Sequence, residues 1–288
     1  RIYADDIKFM AQINDHDDLI SFQKDIDSVC KWLCDHGLTI SVPKCGVLSV
    51  GPKSKLLIDP PHYTMLGQPI AVYDNFRDLG IIIESDLSAK LHIEKLVLKA
   101  SRKFNVFRRK FRVKDPNFRI RMYKTYIRPI LESGSIVWNL SQIGLIKLIE
   151  RVQRRFLRYL TLTSGKKQTY LELCQSYKVD PLIVRRTKTD LVTLYKVFHN
   201  HFMHLDSNDF VEHSTAVTRG HKYKIQRPYL KSSQRSHILF YRTYELWNSL
   251  PSDVVDYATV ASFKKYINSP AYTNNLINLI NKKYPSLL

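Results

Sequence analysis

A single change of hydrophobic period, near residue 85, constrains the fold of this chain more than any other feature. Before it, apolar residues come in short runs separated by turn residues. After it, they recur at three and four residues over long stretches. Residues 2–13 read as strand, tight turn and strand, broken by Asp5-Asp6. A helix then opens with Asp15, Asp17 and Asp18 in its first turn, carries the stripe Leu19, Phe22, Ile26, Val29 and Leu33, and stops at Gly37. Strand patterns follow at 38–42, 46–50 and 76–83, with Gly51-Pro52, Pro60-Pro61 and 67–69 as breaks. Helices are expected at 88–111, 115–133, 143–160 and 181–204. The second of these has Asp115 as N-cap and Pro116 at its first position. A polar, basic stretch at 207–234 reads as a flexible junction before two last helices at 235–249 and 259–268.

Charge narrows the partner. Of 288 residues, 45 are Lys or Arg and 26 Asp or Glu, giving +19 and a pI near 9.7. The excess is clustered: residues 99–128 hold twelve Lys or Arg and one acid, Asp115. Clustering of this kind implies a polyanion, and nucleic acid before others. No run of eighteen apolar residues occurs and the first residues do not resemble a signal peptide, so the chain reads as soluble and intracellular. Cys30, Cys34, Cys45 and Cys174 have neither Cys-x-x-Cys nor zinc-knuckle spacing. Cys30 and Cys34, four apart on the expected helix, read as small buried thiols, and His199, His201 and His204 as helix surface.

Two carboxylates at an exposed bend, Asp5 and Asp6, suit a hard cation such as Mg2+ that also meets phosphate oxygens. A two-metal phosphoryl transfer needs more carboxylate than this pair supplies, and an Asp pair at a turn is also an ordinary solvated turn. Further stretches stand out along the chain: Tyr3-Ala4-Asp5-Asp6, Trp32 ahead of Pro43-Lys44-Cys45, Phe76-Arg77-Asp78-Leu79-Gly80, Arg128-Pro129-Ile130-Leu131-Glu132 and Val137-Trp138. They continue with Ile149-Glu150-Arg151-Val152-Gln153-Arg154-Arg155-Phe156, Arg185-Arg186, Arg219-Gly220-His221, Leu246-Trp247-Asn248-Ser249-Leu250-Pro251 and Ser262-Phe263-Lys264. In this order they resemble the reverse transcriptases of LINE-type (non-LTR) retrotransposons, the jockey-like group in particular, from residue 2 to about 267.

The resemblance implies an RNA-directed DNA polymerase that uses Mg2+, deoxynucleotides, an RNA template and a DNA primer. Asp5 and Asp6 would be palm carboxylates, with Asp5 the firmer metal ligand, and Tyr3 and Ala4 would lie beside the primer end. Lys44 would be the general acid for pyrophosphate, although the Asn usual three residues earlier is Ser41 here; an exposed turn lysine is the other reading. Leu79 and Gly80 would form the primer-gripping turn, or simply a hairpin. Arg102, Lys103, Arg108, Arg109, Lys110 and Arg112 would meet duplex phosphates from a helical thumb. Trp138, Trp247, Phe263 and the apolar rows of 145–157 read as core, with Arg154, Arg155 and Arg158 on a solvated face.

The expected architecture is α+β: a partial reverse-transcriptase palm, antiparallel sheet plus helix, over 1–85, a helical thumb over 86–165 and a helical C-terminal region over 166–288. The fingers and a third palm carboxylate are not in the sequence, so these residues alone are expected to be inactive, as a fragment or a decayed copy. The other readings are a noncatalytic basic nucleic-acid-binding module and a relic that does not fold stably. The resemblance implies residence in the nucleus or a cytoplasmic ribonucleoprotein, and no membrane.

Overall fold

A computed structural model describes residues 2–3, 6–51, 62–111, 113, 115–139, 141–161, 168–202, 221–226, 238–285 and 287–288. They form an α+β protein of two units, Arg1–Ser88 and Ala89–Leu288.

In the first unit, β1 (Ile2–Tyr3) and β2 (Asp6–Ile7) pair antiparallel, Tyr3 opposite Asp6. Helix α1 (His16–Asp35) begins where the sequence predicts, its N-cap Asp15 accepting from the Asp18 N–H. It ends as Gly37 turns left-handed at φ 71°, with the Gly37 and Leu38 N–H groups donating back to the Cys34 and Leu33 carbonyls. The strand expected at 38–42 is absent. Pro43, with no N–H to donate, instead joins a 3-10 turn over Val42–Lys44. Strand β3 (Gly46–Val47) is shorter than the expected 46–50 and runs parallel to β6 (Ala71–Val72). Two hairpins complete the unit, β4 (Thr64–Met65) with β5 (Gln68–Pro69), and β7 (Asn75–Asp78) with β8 (Ile81–Glu84). Among the described residues every sheet has two strands. Ile26, Cys30, Tyr63 and Ile70 form the small core, and the Gln23 side chain pairs with both backbone groups of Thr64. Cys30 is buried, but Cys34 is exposed: α1 turns that position outward.

The second unit is helical. Helix α2 (Lys90–Lys110) is followed by α3 (Pro116–Met122), whose N-cap Asp115 accepts from the Asn117 and Phe118 N–H groups. The helix expected over 115–133 does run on, but through a π turn at Tyr123–Ile127 into α4 (Arg128–Glu132). The turn has a physical cause. Pro129 cannot donate and its ring crowds the preceding turn, and widening that turn lets Arg128 donate to the Tyr123 carbonyl five residues back.

Next come α5 (Ser135–Trp138), α6 (Ile143–Leu160), α7 (Tyr170–Ser176) and α8 (Leu182–Phe198), the last ending before the expected residue 204. Among the described residues four helices follow: α9 (Leu239–Asn248), α10 (Ser252–Val255), α11 (Val260–Ile267) and α12 (Pro270–Lys283). Within this unit α8 packs on α4, α5 and α6 and also on α9, α11 and α12. Trp138, Trp247 and Phe263 are buried as read. Most of the polar stretch 207–234 lies outside the described residues.

Candidate nucleic-acid interface

The acidic turn is only partly described. Ala4 and Asp5 lie outside the described residues, as does the Tyr3 side chain, while Asp6 is exposed on β2. Two residues further, Lys8 makes an ion pair with Asp78. Asp78 closes the β7–β8 hairpin opposite Ile81, leaving Leu79 and Gly80 as a two-residue turn. Both have positive φ, 44° and 87°, the pattern that matches hairpin twist. Glycine accepts this freely, whereas Leu79 is held left-handed with its side chain 55% exposed at the tip. One ion pair thus connects Lys8, just past β2, to Asp78, the residue before the Leu79–Gly80 turn. Lys44 is exposed on the 3-10 turn.

Among the described residues no three His, Cys, Asp or Glu side chains gather to hold a metal. Asp6 supplies one oxygen-donor side chain, which suits Mg2+ in kind but is not a two-ion set.

The strongest charge lies on α2. Ile93, Ala100, Phe104 and Phe107 bury one face, while Lys95, Lys99, Arg102, Lys103, Arg108, Arg109 and Lys110 are all exposed. Arg112 is outside the described residues. The only carboxylate on α2 is Glu94, in its second turn, so the C-terminal half carries no acid of its own. Basic residues there also suit the helix dipole. Helix α6 adds exposed Arg151, Arg155 and Arg158. Arg154, expected on the solvated face, is half-buried instead: it lies over the Tyr170 ring and donates to the Leu287 carbonyl at 2.8 Å.

Several prominent polar residues hold the fold. Glu150, 1% exposed, accepts from the Leu182 N–H at 3.1 Å, the Ile183 N–H at 2.5 Å and the Tyr170 hydroxyl at 2.5 Å, and so caps α8 from a neighbouring helix. Gln153 accepts from the Tyr123 hydroxyl at 2.6 Å and donates to Tyr170 and to the Asp180 carbonyl. Burial and the Glu150 carboxylate push the Tyr123 and Tyr170 phenols well above their ordinary value, and burial pushes the Cys174 thiol up to about 12. Arg185 forms an ion pair with Glu132. A second buried group joins Asp190, Asn139 and the forked Arg242, with Arg186 donating to Asn139. Sequence reasoning singled out the stretch around Glu150 and Gln153 without assigning these roles. The signal was present, since both positions fall in phase with Ile146, Ile149, Val152 and Phe156 on the apolar side of α6.

His199 is half-buried, stacked on Tyr195 at 4.2 Å and bonded to the Val255 carbonyl, so its place is structural. His204 is outside the described residues. No described helix is long and apolar enough to cross a membrane.

Over 81 residues the chain is 31% identical to an uncharacterized protein of Caenorhabditis elegans, a match covering 28% of this chain and 41% of that protein. The chain therefore spans about two fifths of the length of the curated relative it matches. No protein-family model matches the sequence, and no solved structure matches it.

Proposed function

We propose that this chain is part of the reverse transcriptase of a non-LTR retrotransposon, an RNA-directed DNA polymerase. The observation that carries the reading is the Lys8–Asp78 ion pair. The two turns were singled out separately in the sequence, more than seventy residues apart. A polymerase needs a metal-binding turn beside a turn that seats the primer, and the ion pair ties Lys8, two residues past Asp6, to Asp78, the last strand residue before Leu79 and Gly80. In this reading Asp5 and Asp6 bind Mg2+ together with a carboxylate from outside these residues, and α2 holds the phosphate backbone of the template–primer duplex.

The test is primer extension on an RNA template with Mg2+, using the longest reading frame that contains these residues. Extension should be lost in Asp5→Ala and weakened, through poorer primer use, in Asp78→Ala. Extension that survives Asp5→Ala would refute the assignment. A second reading, a noncatalytic basic nucleic-acid-binding module, draws on the clustered basic charge of α2. It expects binding that falls with salt and ignores both chelation and Asp5→Ala.

A further inference from the structure

Helices α2 and α6 run antiparallel where they touch, since Phe104 meets Tyr159 and Phe107 meets Phe156. At one edge of this contact Arg155, exposed on α6, donates from Nη2 to the Asn105 Oδ1 of α2 at 3.0 Å. Its guanidinium also lies 5.3 Å over the Phe104 ring. An exposed arginine usually samples many rotamers, whereas this one is oriented by an amide and an aromatic face. Helical spacing places Arg108 and Arg151 one turn away on one side, and Arg158 with Ser101 on the other. The carboxylates of the two helices do not compensate this edge, because Glu150 is buried as the cap of α8 and Glu94 lies three turns before Asn105.

We infer that the α2–α6 seam is a phosphate-binding site for a nucleic-acid backbone, with Arg155 as its fixed fork and Arg108, Arg151 and Arg158 around it. This rests on the nucleic-acid reading of α2 and extends it to a second helix. Clustered like charges cost the folded state self-repulsion, and a bound phosphate chain relieves it. Guanidinium forks suit phosphate oxygens bidentately, and a partner amide that fixes the fork lowers the entropy lost on binding. The seam residues at 101, 105, 108, 151, 155 and 158 are Ser, Asn and Arg, and the exposed apolar side chains near them, Leu98, Val106 and Phe111, stand singly rather than forming the continuous apolar face that an interfacial membrane helix inserts. A polyphosphate in water fits this surface better than a lipid layer.

The experiment measures anisotropy of a short labelled RNA–DNA hybrid with the 288-residue chain over a salt series. Arg151→Gln/Arg155→Gln/Arg158→Gln should weaken binding about tenfold or more and flatten the log–log salt slope by about 2 to 3. Lys264→Gln/Lys265→Gln/Lys282→Gln, an equal loss of charge at exposed positions elsewhere, should stay within about twofold. Asn105→Ala, which changes no charge, should weaken binding by freeing Arg155, with an unchanged far-UV spectrum. Equal behaviour of the α6 triple variant and the control overturns the seam. If Arg102→Gln/Lys103→Gln/Arg109→Gln on α2 also matches the control, the nucleic-acid reading itself falls. Loss of binding to phosphatidylserine vesicles without loss on the hybrid would reassign the seam to lipid.

Discussion

Glu150 is a carboxylate whose value depends on position. On the surface it would contribute little, but buried it satisfies two N–H groups that α8 cannot satisfy itself, since its N-cap is Pro181. Glu150→Gln should lower unfolding free energy by about 2–3 kcal/mol in urea titrations; an unchanged midpoint would mean that water caps α8 equally well. Leu79 offers the opposite sign. A leucine at φ 44° is strained where asparagine is tolerated, so Leu79→Asn should stabilise its hairpin by about 1 kcal/mol while reducing primer extension in the proposed polymerase. A gain in both would remove any functional reason for that leucine.

The phenols and thiol beside Glu150 set an alkaline limit. Tyr170 titrates above its ordinary 10.0 and Cys174 moves from 9.0 to about 12, so the folded state keeps protons that the unfolded chain releases. Their contribution is complete below pH 9 and declines as pH rises through 10 toward 12 and beyond. Urea midpoints measured upward from pH 9.0 should fall, and less steeply in Tyr170→Phe. A midpoint that holds flat would contradict the burial of this group.

Among the elements, α8 is the hub, and α12, which lay beyond the helices expected from the sequence, is one of its supports. Leu276, Ile280 and Leu287 pack against Ile146, Ile183 and Val184, Lys188 donates to Thr273 on α12, and Arg154 reaches the Leu287 carbonyl. Deleting residues 270–288 should therefore expose an apolar strip on α6 and α8 and abolish cooperative thermal unfolding of the helical unit. A sharp transition after deletion would show that this strip is dispensable. Helix α12 was hard to foresee because its polar Asn274, Asn275, Asn278 and Asn281 weaken the apolar pattern, leaving Leu276 and Ile280 to be decided by what they touch.

Across the whole molecule the two units differ in the source of their stability. The helical unit has large buried clusters around Trp247 and around Leu276, whereas the first unit buries Ile26, Cys30, Tyr63 and Ile70 beneath two-stranded sheets. Isolated two-stranded sheets are marginal in water. Residues 89–288 expressed alone should give a helical spectrum and a single urea transition, and residues 1–88 neither. Cooperative folding of the short piece would refute the ranking.

Local physics made much of the fold legible in the sequence. Asp115 has a side chain that caps, Asp15, Asp17 and Asp18 mark a helix start although Asp15 proves to be its cap, Gly37 has no Cβ to oppose a left-handed turn, and the spacing on α2 and α6 separates an apolar face from a basic one. Those features act within one or two helical turns, so reading along the chain finds them. The cap that Glu150 provides for α8, the ion pair between Lys8 and Asp78 and the fixing of Arg155 by Asn105 were decided only by the tertiary structure. Each joins residues tens of positions apart. Spacing along the chain states a side chain's type and phase, but which partner reaches it depends on how the helices and hairpins pack.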